Sequence, residues 1–211
     1  LFSIRLRVYM KFIKSISENE MIAEFLKAEI TSDRFATGLL TALEQRAAPV
    51  RLIEEPNLHS QSENEIRKSV LGQYRGYATD ALLFENFPHN VVWQKILLTP
   101  AELAEVKYIN YDYWNQLSSQ TRTPVRAVEN IKAGIEVFHE NNDKFFAIAK
   151  AVAEGRKFPL LILIAKDVNS YRVVLEGHAR LTGYMLQPEL IPNEVEVIIG
   201  YSNDFSHWAL Y

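Results

Sequence analysis

The sequence predicts an α+β protein: a mainly helical N-terminal region over residues 1–88, then a mixed α/β domain with a small sheet over residues 89–211. Three observations support this prediction. Apolar residues recur at helical spacing in the first region, short β-branched runs alternate with helical patterns in the second, and the change falls near His89. A chain of 211 residues, 48% of them hydrophobic, can bury one large core or two small ones.

Two capping-box patterns predict where helices begin in the N-terminal region. Ser17 is followed by Glu20, and Ser62 by Glu65, at the spacing that lets serine and glutamate satisfy the free backbone groups of a first helical turn. An apolar stripe at helical spacing follows the first pattern and predicts a helix that faces the core. The stripe consists of Met21, Ile22, Phe25, Leu26 and Ile30.

The segment Gln73–Asp80 mixes aromatic residues, an arginine and glycine after the second predicted helix. We favour a helix end near Gly76, because glycine readily takes the left-handed conformation that closes helices. The alternative is a functional loop, in which Tyr74–Tyr77 contacts a ligand and supplies specificity.

The second region opens with a strand over Val91–Leu98, followed by Thr99 and Glu102 as the N-cap and N3 residues of a helix. The aromatic cluster Tyr108–Trp114 could stack a base or pack between the two halves of the chain. Packing is favoured, because stacking platforms usually carry basic residues that this cluster lacks. A further helix is predicted over residues 127–139.

A hairpin is predicted next. A helix stops at Gly155, and the short apolar run Leu160–Ala165 is typical of a buried strand. Turn residues follow, and Tyr171–Leu175 is the partner strand. A helix then leads to a last strand over Val195–Ile199.

Residues Glu176–Arg180, called the corner below, lie where the second hairpin strand passes into a helix. Free N–H groups at a helix N-terminus attract phosphate, and Gly177 lets a ligand approach the backbone closely. Arg180 can neutralise phosphate oxygens as a planar donor of several hydrogen bonds, and Arg122 is a second clamp from a separate loop. The sequence therefore predicts phosphate binding by Gly177, Arg180 and Arg122.

Two corner residues are candidates for catalysis. Glu176 can bind a divalent metal ion or deprotonate an acceptor hydroxyl, as carboxylates do in phosphoryl transfer. His178 can donate to phosphate, or act as general acid or base with an ordinary pKa near ~6.5. The alternative for Glu176 and Arg180 is a surface ion pair at positions i and i+4, worth about 0.3–0.5 kcal/mol.

Composition excludes several classes of chemistry. The chain has no cysteine, so disulfides, thiolate metal sites and cysteine nucleophiles are absent, and a cytoplasmic location is the simplest expectation. The net charge of −3 argues against a protein that coats nucleic acid. No apolar run approaches a membrane span, and the arginines in residues 1–7 break a signal-peptide core.

The order of elements and the corner residues resemble the ParB/sulfiredoxin-like superfamily, over roughly residues 89–200. The features that carry the resemblance are a loop arginine, a helix ending in glycine, a proline before an apolar strand, a hairpin, and a glycine-X-X-arginine corner that opens a helix. Here these are Arg122, Gly155, Pro159, the strand 160–165 and residues 177–180. The resemblance implies a nucleotide-binding α/β domain.

The corner also separates branches of that superfamily. His178 stands where sulfiredoxins carry a catalytic cysteine, so reduction of sulfinic acid is excluded. We expect no helix-turn-helix module like that of the chromosome-partition ParB proteins among the residues that follow the last predicted strand. The corner is most similar to that of ParB-like free serine kinases and ParB-like nuclease-domain proteins, although Ala179 replaces a second histidine common there.

Three functions remain open. The first is a nucleotide-binding enzyme that uses Mg²⁺ to hydrolyse a nucleoside triphosphate, with ATP favoured, or to transfer its phosphoryl group to a small acceptor. The second is a non-catalytic nucleotide sensor whose N-terminal region contacts a protein partner. The third is a nucleic-acid-processing protein, which the charge balance disfavours. No membrane partner is expected.

Overall fold

The computed structural model describes residues 10–211, and it confirms the predicted α+β class. Residues 1–7, discussed above for their arginines, lie outside the described part. The helices there are α1 Glu18–Glu29, α2 Ala36–Glu44, α3 Arg51–Glu54, α4 Gln61–Arg75, α5 Pro100–Ala104, α6 Asp112–Leu117, α7 Pro124–Lys132, α8 Asp143–Ala153 and α9 His178–Leu186. The strands are β1 Lys11–Ser15, β2 Val92–Leu98, β3 Leu161–Ala165, β4 Val173–Glu176 and β5 Val195–Tyr201. No helix within residues 10–211 is both long and apolar enough to cross a bilayer.

The five strands form one mixed sheet in the order β1-β2-β5-β3-β4. β3 and β4 pair antiparallel, which confirms the predicted hairpin, and β3 runs parallel to its other neighbour β5. The N-terminal region contributes β1, which pairs with β2 at the edge of the sheet. The hairpin places the corner at the end of β4, beside the start of β3.

Helices cover both faces of the sheet, which explains why β3 is apolar at every position. Leu161 and Leu163 point into a core shared with the helices α5 to α9, whereas Ile162 and Ile164 point into a core shared with α1 to α4. Strands buried on both faces read as continuous apolar runs. The proposed division at residues 88 and 89 stays a prediction; the N-terminal helices share a hydrophobic core with the sheet.

The two predicted helix starts have different outcomes. The hydroxyl of Ser17 accepts a hydrogen bond from the Glu20 N–H at 3.2 Å, as predicted for the N-cap of α1. The prediction of Ser62 as the N-cap of α4 is wrong. Ser60 is the N-cap and accepts from the Glu63 N–H at 3.3 Å. Both serines have a glutamate three residues later, so the pattern alone does not choose between them.

The capping box at Thr99 gives a first testable prediction. The Thr99 hydroxyl accepts from the Glu102 N–H at 3.2 Å, and the Glu102 carboxylate accepts from the Thr99 N–H at 2.9 Å. Thr99→Ala is expected to lower the free energy of unfolding by about 1 kcal/mol, measured by urea denaturation. Thr41→Ala, the same change at an exposed position inside α2, is the control. Equal effects of the two changes would contradict the capping role.

Candidate functional site

The corner has the strand-to-helix geometry that the sequence predicts. Gly177 lies between β4 and α9 with φ 101° and ψ 25°, a left-handed conformation that glycine adopts readily. A Cβ atom at Gly177 would stand 2.5 Å from Leu161 Cδ2 and 3.0 Å from an Arg180 Nη atom. Both the left-handed backbone conformation and the lack of room for a Cβ atom therefore require glycine at this position.

The N-terminus of α9 has free backbone donors. Gly177 supplies no side-chain cap, and the first hydrogen bond of the helix runs from the Leu181 N–H to the Gly177 carbonyl at 2.8 Å. Within residues 10–211, the N–H groups of His178, Ala179 and Arg180 have no protein acceptor. These donors and the helix dipole make this end of α9 favourable for an anion.

Arg180 is turned inward and braces the corner. Its side chain is only 9% exposed, and its guanidinium donates to Glu176 Oε1 at 2.9 Å, to the Leu160 carbonyl at 3.1 Å and to the Pro159 carbonyl. The alternative of a surface ion pair is therefore wrong, because Arg180 is buried and the Glu176 side chain is only 15% exposed. The direct contact of Arg180 with phosphate stays a prediction, since these acceptors already engage both terminal nitrogens.

Glu29, which the sequence analysis did not single out, lies next to the corner. This fully buried residue ends α1 and accepts a hydrogen bond from the Tyr74 hydroxyl at 2.7 Å. Burial and the negative charge of Glu176 together raise the pKa of Glu29 to about 7, against the opposing effect of Arg75. Glu29 and Glu176 thus form a carboxyl pair in which Glu29 is fully buried and Glu176 partly exposed, and Glu29 is poised to exchange a proton near neutral pH.

Arg75 links this carboxyl pair to the N-terminal helices. Its Nε atom lies 3.6 Å from Glu29 Oε1, and its guanidinium sits over the ring of Phe35 at 4.4 Å. Tyr74 and Arg75 both contact Glu29; the suggestion that Tyr74–Tyr77 contacts a ligand stays a prediction. Tyr77 instead donates to Glu18 at 2.6 Å.

His178 is held in an aromatic stack. Its ring lies 5.1 Å from the ring of Trp114 at an interplanar angle of 18°, and Trp114 stacks in turn on Tyr108 at 4.6 Å. Burial lowers the pKa of His178 to about 3, and the positive charges of Arg75 and Arg180 act in the same direction. The expectation of an ordinary pKa is therefore wrong. His178 is neutral at neutral pH and keeps one donor and one acceptor nitrogen.

Arg122 is engaged with the backbone. Its Nε donates to the Tyr108 carbonyl at 2.8 Å, and its two Nη atoms donate to the Tyr211 and Leu210 carbonyls at 2.8 and 3.3 Å. The residue also has a left-handed φ of 58°. Because all three nitrogens hold backbone segments together, geometry lends no support to the predicted phosphate clamp, and Arg122 is left out of the proposed site.

Three buried polar atoms near the corner, from α1, α4 and α9, have no hydrogen-bond partner within residues 10–211. Two of them, Glu29 Oε1 and Arg75 Nε, face each other as an ion pair at 3.6 Å, too long for a hydrogen bond, and the third is His178 Nε2. The three groups are close, since the charge of Arg75 acts on both Glu29 and His178. Buried polar atoms are nearly always paired, so such a concentration marks a place where a ligand or ordered water completes the structure.

The carboxylate oxygens at this place are suitable ligands for a magnesium ion that is bound together with phosphate. Within the described residues, no group of three or more histidines and carboxylates is arranged to hold a metal ion. Mg²⁺ needs fewer protein ligands, because one or two carboxylates hold it when substrate phosphates and water supply the rest. Glu176 provides one such carboxylate at the corner.

Comparison of the chain with protein-family models, curated proteins and solved structures finds no match. The class of this protein is defined by its own structure, which is α+β with a five-stranded mixed sheet. The superfamily resemblance stays a prediction, and the functional assignment below depends on the chain's own residues.

Proposed function

We propose that the corner binds the phosphate groups of a nucleoside triphosphate, with ATP favoured, and that the protein hydrolyses it or transfers its phosphoryl group to a small acceptor with Mg²⁺. The observation that carries the proposal is the cluster of buried polar atoms on Glu29, Arg75 and His178 that make no hydrogen bond within residues 10–211, beside an uncapped helix N-terminus. A phosphate group would accept hydrogen bonds from the free N–H groups of α9 and from Arg75.

The carboxyl pair supplies the second part of the proposal. Two carboxylates beside a phosphate would repel it, unless a divalent cation offsets their charge or one carboxyl is protonated. Glu176 would hold Mg²⁺, which when bound would offset phosphate charge and polarise the transferring group, whereas Glu29 is kept for proton transfer. Arg180 fixes the orientation of the Glu176 carboxylate, because its guanidinium binds both that carboxylate and the carbonyls that precede β3.

Proton transfer is assigned to Glu29. A general base works best when its pKa lies near the operating pH, and the pKa of Glu29 is about 7. In transfer to an acceptor, the hydroxyl proton passes to the Glu29 carboxylate while the hydroxyl oxygen forms a bond to the γ-phosphorus. The bond between the γ-phosphorus and the bridging oxygen breaks, and the nucleoside diphosphate leaves with the electron pair. Neutral His178 would donate or accept one hydrogen bond in the same site.

The second candidate function is a non-catalytic sensor. It is favoured by the contacts of Glu29 with Tyr74 and Arg75, which join α1 to α4, and by the closeness of Glu29 to Glu176 of the corner. A ligand at the corner would change the pairing of these side chains, so its presence would be communicated to a surface of the N-terminal helices that binds a protein partner.

The test is a thermal-shift and turnover assay of the full chain with ATP, ADP, CTP and GTP, each with and without Mg²⁺. At a hundredfold excess over the dissociation constant, a ligand of the native state stabilises it by about 2.7 kcal/mol. Glu29→Gln is expected to retain nucleotide binding and to lower turnover roughly a hundredfold. Glu44→Gln, on the exposed face of α2, is the matched control.

The outcomes separate the candidate functions. If the wild type binds a nucleotide and turns it over, and Glu29→Gln removes the turnover, the protein is an enzyme. Binding by the wild type without any turnover supports the sensor. No shift with any nucleotide rejects both, because each needs phosphate at the corner.

A further inference from the structure

A strained turn presents an exposed aromatic ring between α7 and α8. The Glu140 N–H donates to the Val137 carbonyl at 3.1 Å, and the two residues between them, Phe138 and His139, have left-handed φ angles of 55° and 60°. Glycine and asparagine are the usual residues in a turn of this kind, because other side chains are strained there. Phe138 is nevertheless 58% exposed, so neither burial nor backbone preference explains a phenylalanine at this position.

The exposed ring belongs to a row of aromatic contacts that ends at the corner. The ring of Phe138 lies 6.5 Å from that of Tyr113, and Tyr113 meets Trp114 edge to face at 4.9 Å. Trp114 stacks on His178, in the first turn of α9. Three successive ring contacts thus connect Phe138 to the proposed phosphate site.

An unpaired polar atom accompanies this row. Asn142 is only 7% exposed, and its Oδ1 has no hydrogen-bond partner in the described residues. The amide orientation of Asn142 is set by its Nδ2, which donates to the Ile135 carbonyl at 2.8 Å. Its Oδ1 is therefore the free atom, and it can only accept a hydrogen bond.

We infer that Phe138 stacks the base of the bound nucleotide, and that Asn142 Oδ1 accepts a hydrogen bond from an exocyclic amino group of that base. The inference depends on the proposed function, since it names the part of the ligand that lies beyond the phosphates. Aromatic faces bind any base, whereas a lone free acceptor selects bases that carry an amino donor, such as adenine and cytosine.

The first experiment separates the base from the phosphates. Dissociation constants of the full chain are measured by calorimetry, with Mg²⁺, for ATP and for inorganic tripolyphosphate. Phe138→Ala is expected to weaken the binding of ATP about tenfold and to leave the affinity for tripolyphosphate unchanged. Phe138→Tyr, which keeps a ring, should restore ATP affinity. Phe146→Ala changes another exposed phenylalanine, which lies on α8, and it should alter neither affinity.

The second experiment changes the ligand, because Asn142 also holds its own loop. Replacing the adenine amino group by a carbonyl oxygen, as in inosine triphosphate, is expected to weaken binding several-fold. CTP should likewise bind more tightly than UTP.

The inference is overturned if Phe138→Ala weakens ATP and tripolyphosphate equally, if it weakens neither, or if amino and oxo bases bind alike. Binding of tripolyphosphate as tightly as ATP would reject base recognition and leave the phosphate site standing. Failure of the wild type to bind either compound would reject the phosphate site, and this inference with it.

Discussion

Replacing Arg180 with methionine is expected to lower the free energy of unfolding by about 3–5 kcal/mol, because it leaves the largely buried Glu176 carboxylate without its cation. Glu176 already lies near a second carboxyl group, Glu29, so without its own cation it would also face a like charge. Two backbone carbonyls before β3 would lose their donor as well. Urea denaturation at neutral pH measures the effect.

The double variant Glu176→Gln with Arg180→Met separates the ion pair from the packing of the side chain. Removing both charges is expected to recover a large part of the stability, since the cost of a broken buried pair comes mainly from the remaining charge. If Arg180→Met had little effect on stability but abolished nucleotide binding, Arg180 would be a direct phosphate donor, as the sequence predicts, and its bracing role would be wrong.

The corner itself could be found in the sequence because its signals are local. An apolar strand, a glycine and a helical pattern follow one another without a gap, and Gly177 has the left-handed conformation that this order requires. The burial of Arg180 was not visible, because its acceptors belong to Pro159 and Leu160, about twenty residues earlier in the chain. A spacing of four residues is equally compatible with a surface pair and a buried one.

Glu29 was missed although the sequence contains a signal for it. Ile22, Phe25 and Glu29 lie on one face of α1, so a carboxylate occupies a position of the stripe that otherwise holds apolar residues. A charged residue on a core-facing stripe requires a buried partner. The identity of that partner depends on how α1 packs against α4 and the sheet, which periodicity does not specify.

The pH dependence of stability gives the second large effect. The carboxyl group of Glu29 releases its proton near pH 4.5 in the unfolded chain and near pH 7 in the folded protein. Between these values the folded state binds more protons, so stability falls as pH rises, by about 1.4 kcal/mol per pH unit and about 3 kcal/mol in all. His178 acts in the opposite direction, because burial lowers its pKa from 6.5 to about 3 and the unfolded state then binds more protons.

Between about pH 4.5 and 6.5, the fall in stability due to Glu29 and the rise due to His178 oppose each other. The pH dependence of wild-type stability therefore does not report the contribution of either group alone. Glu29→Gln removes the falling contribution, and the free energy of unfolding of this variant should rise with pH across that range relative to the wild type. The measurement is a series of urea unfolding curves from pH 4.5 to 7.5, with Glu44→Gln as a control expected to run parallel to the wild type. If Glu29→Gln also ran parallel, Glu29 would keep an ordinary pKa in the folded protein. It would then have no proton to exchange near neutral pH, and the general-base role in phosphoryl transfer would fall with it.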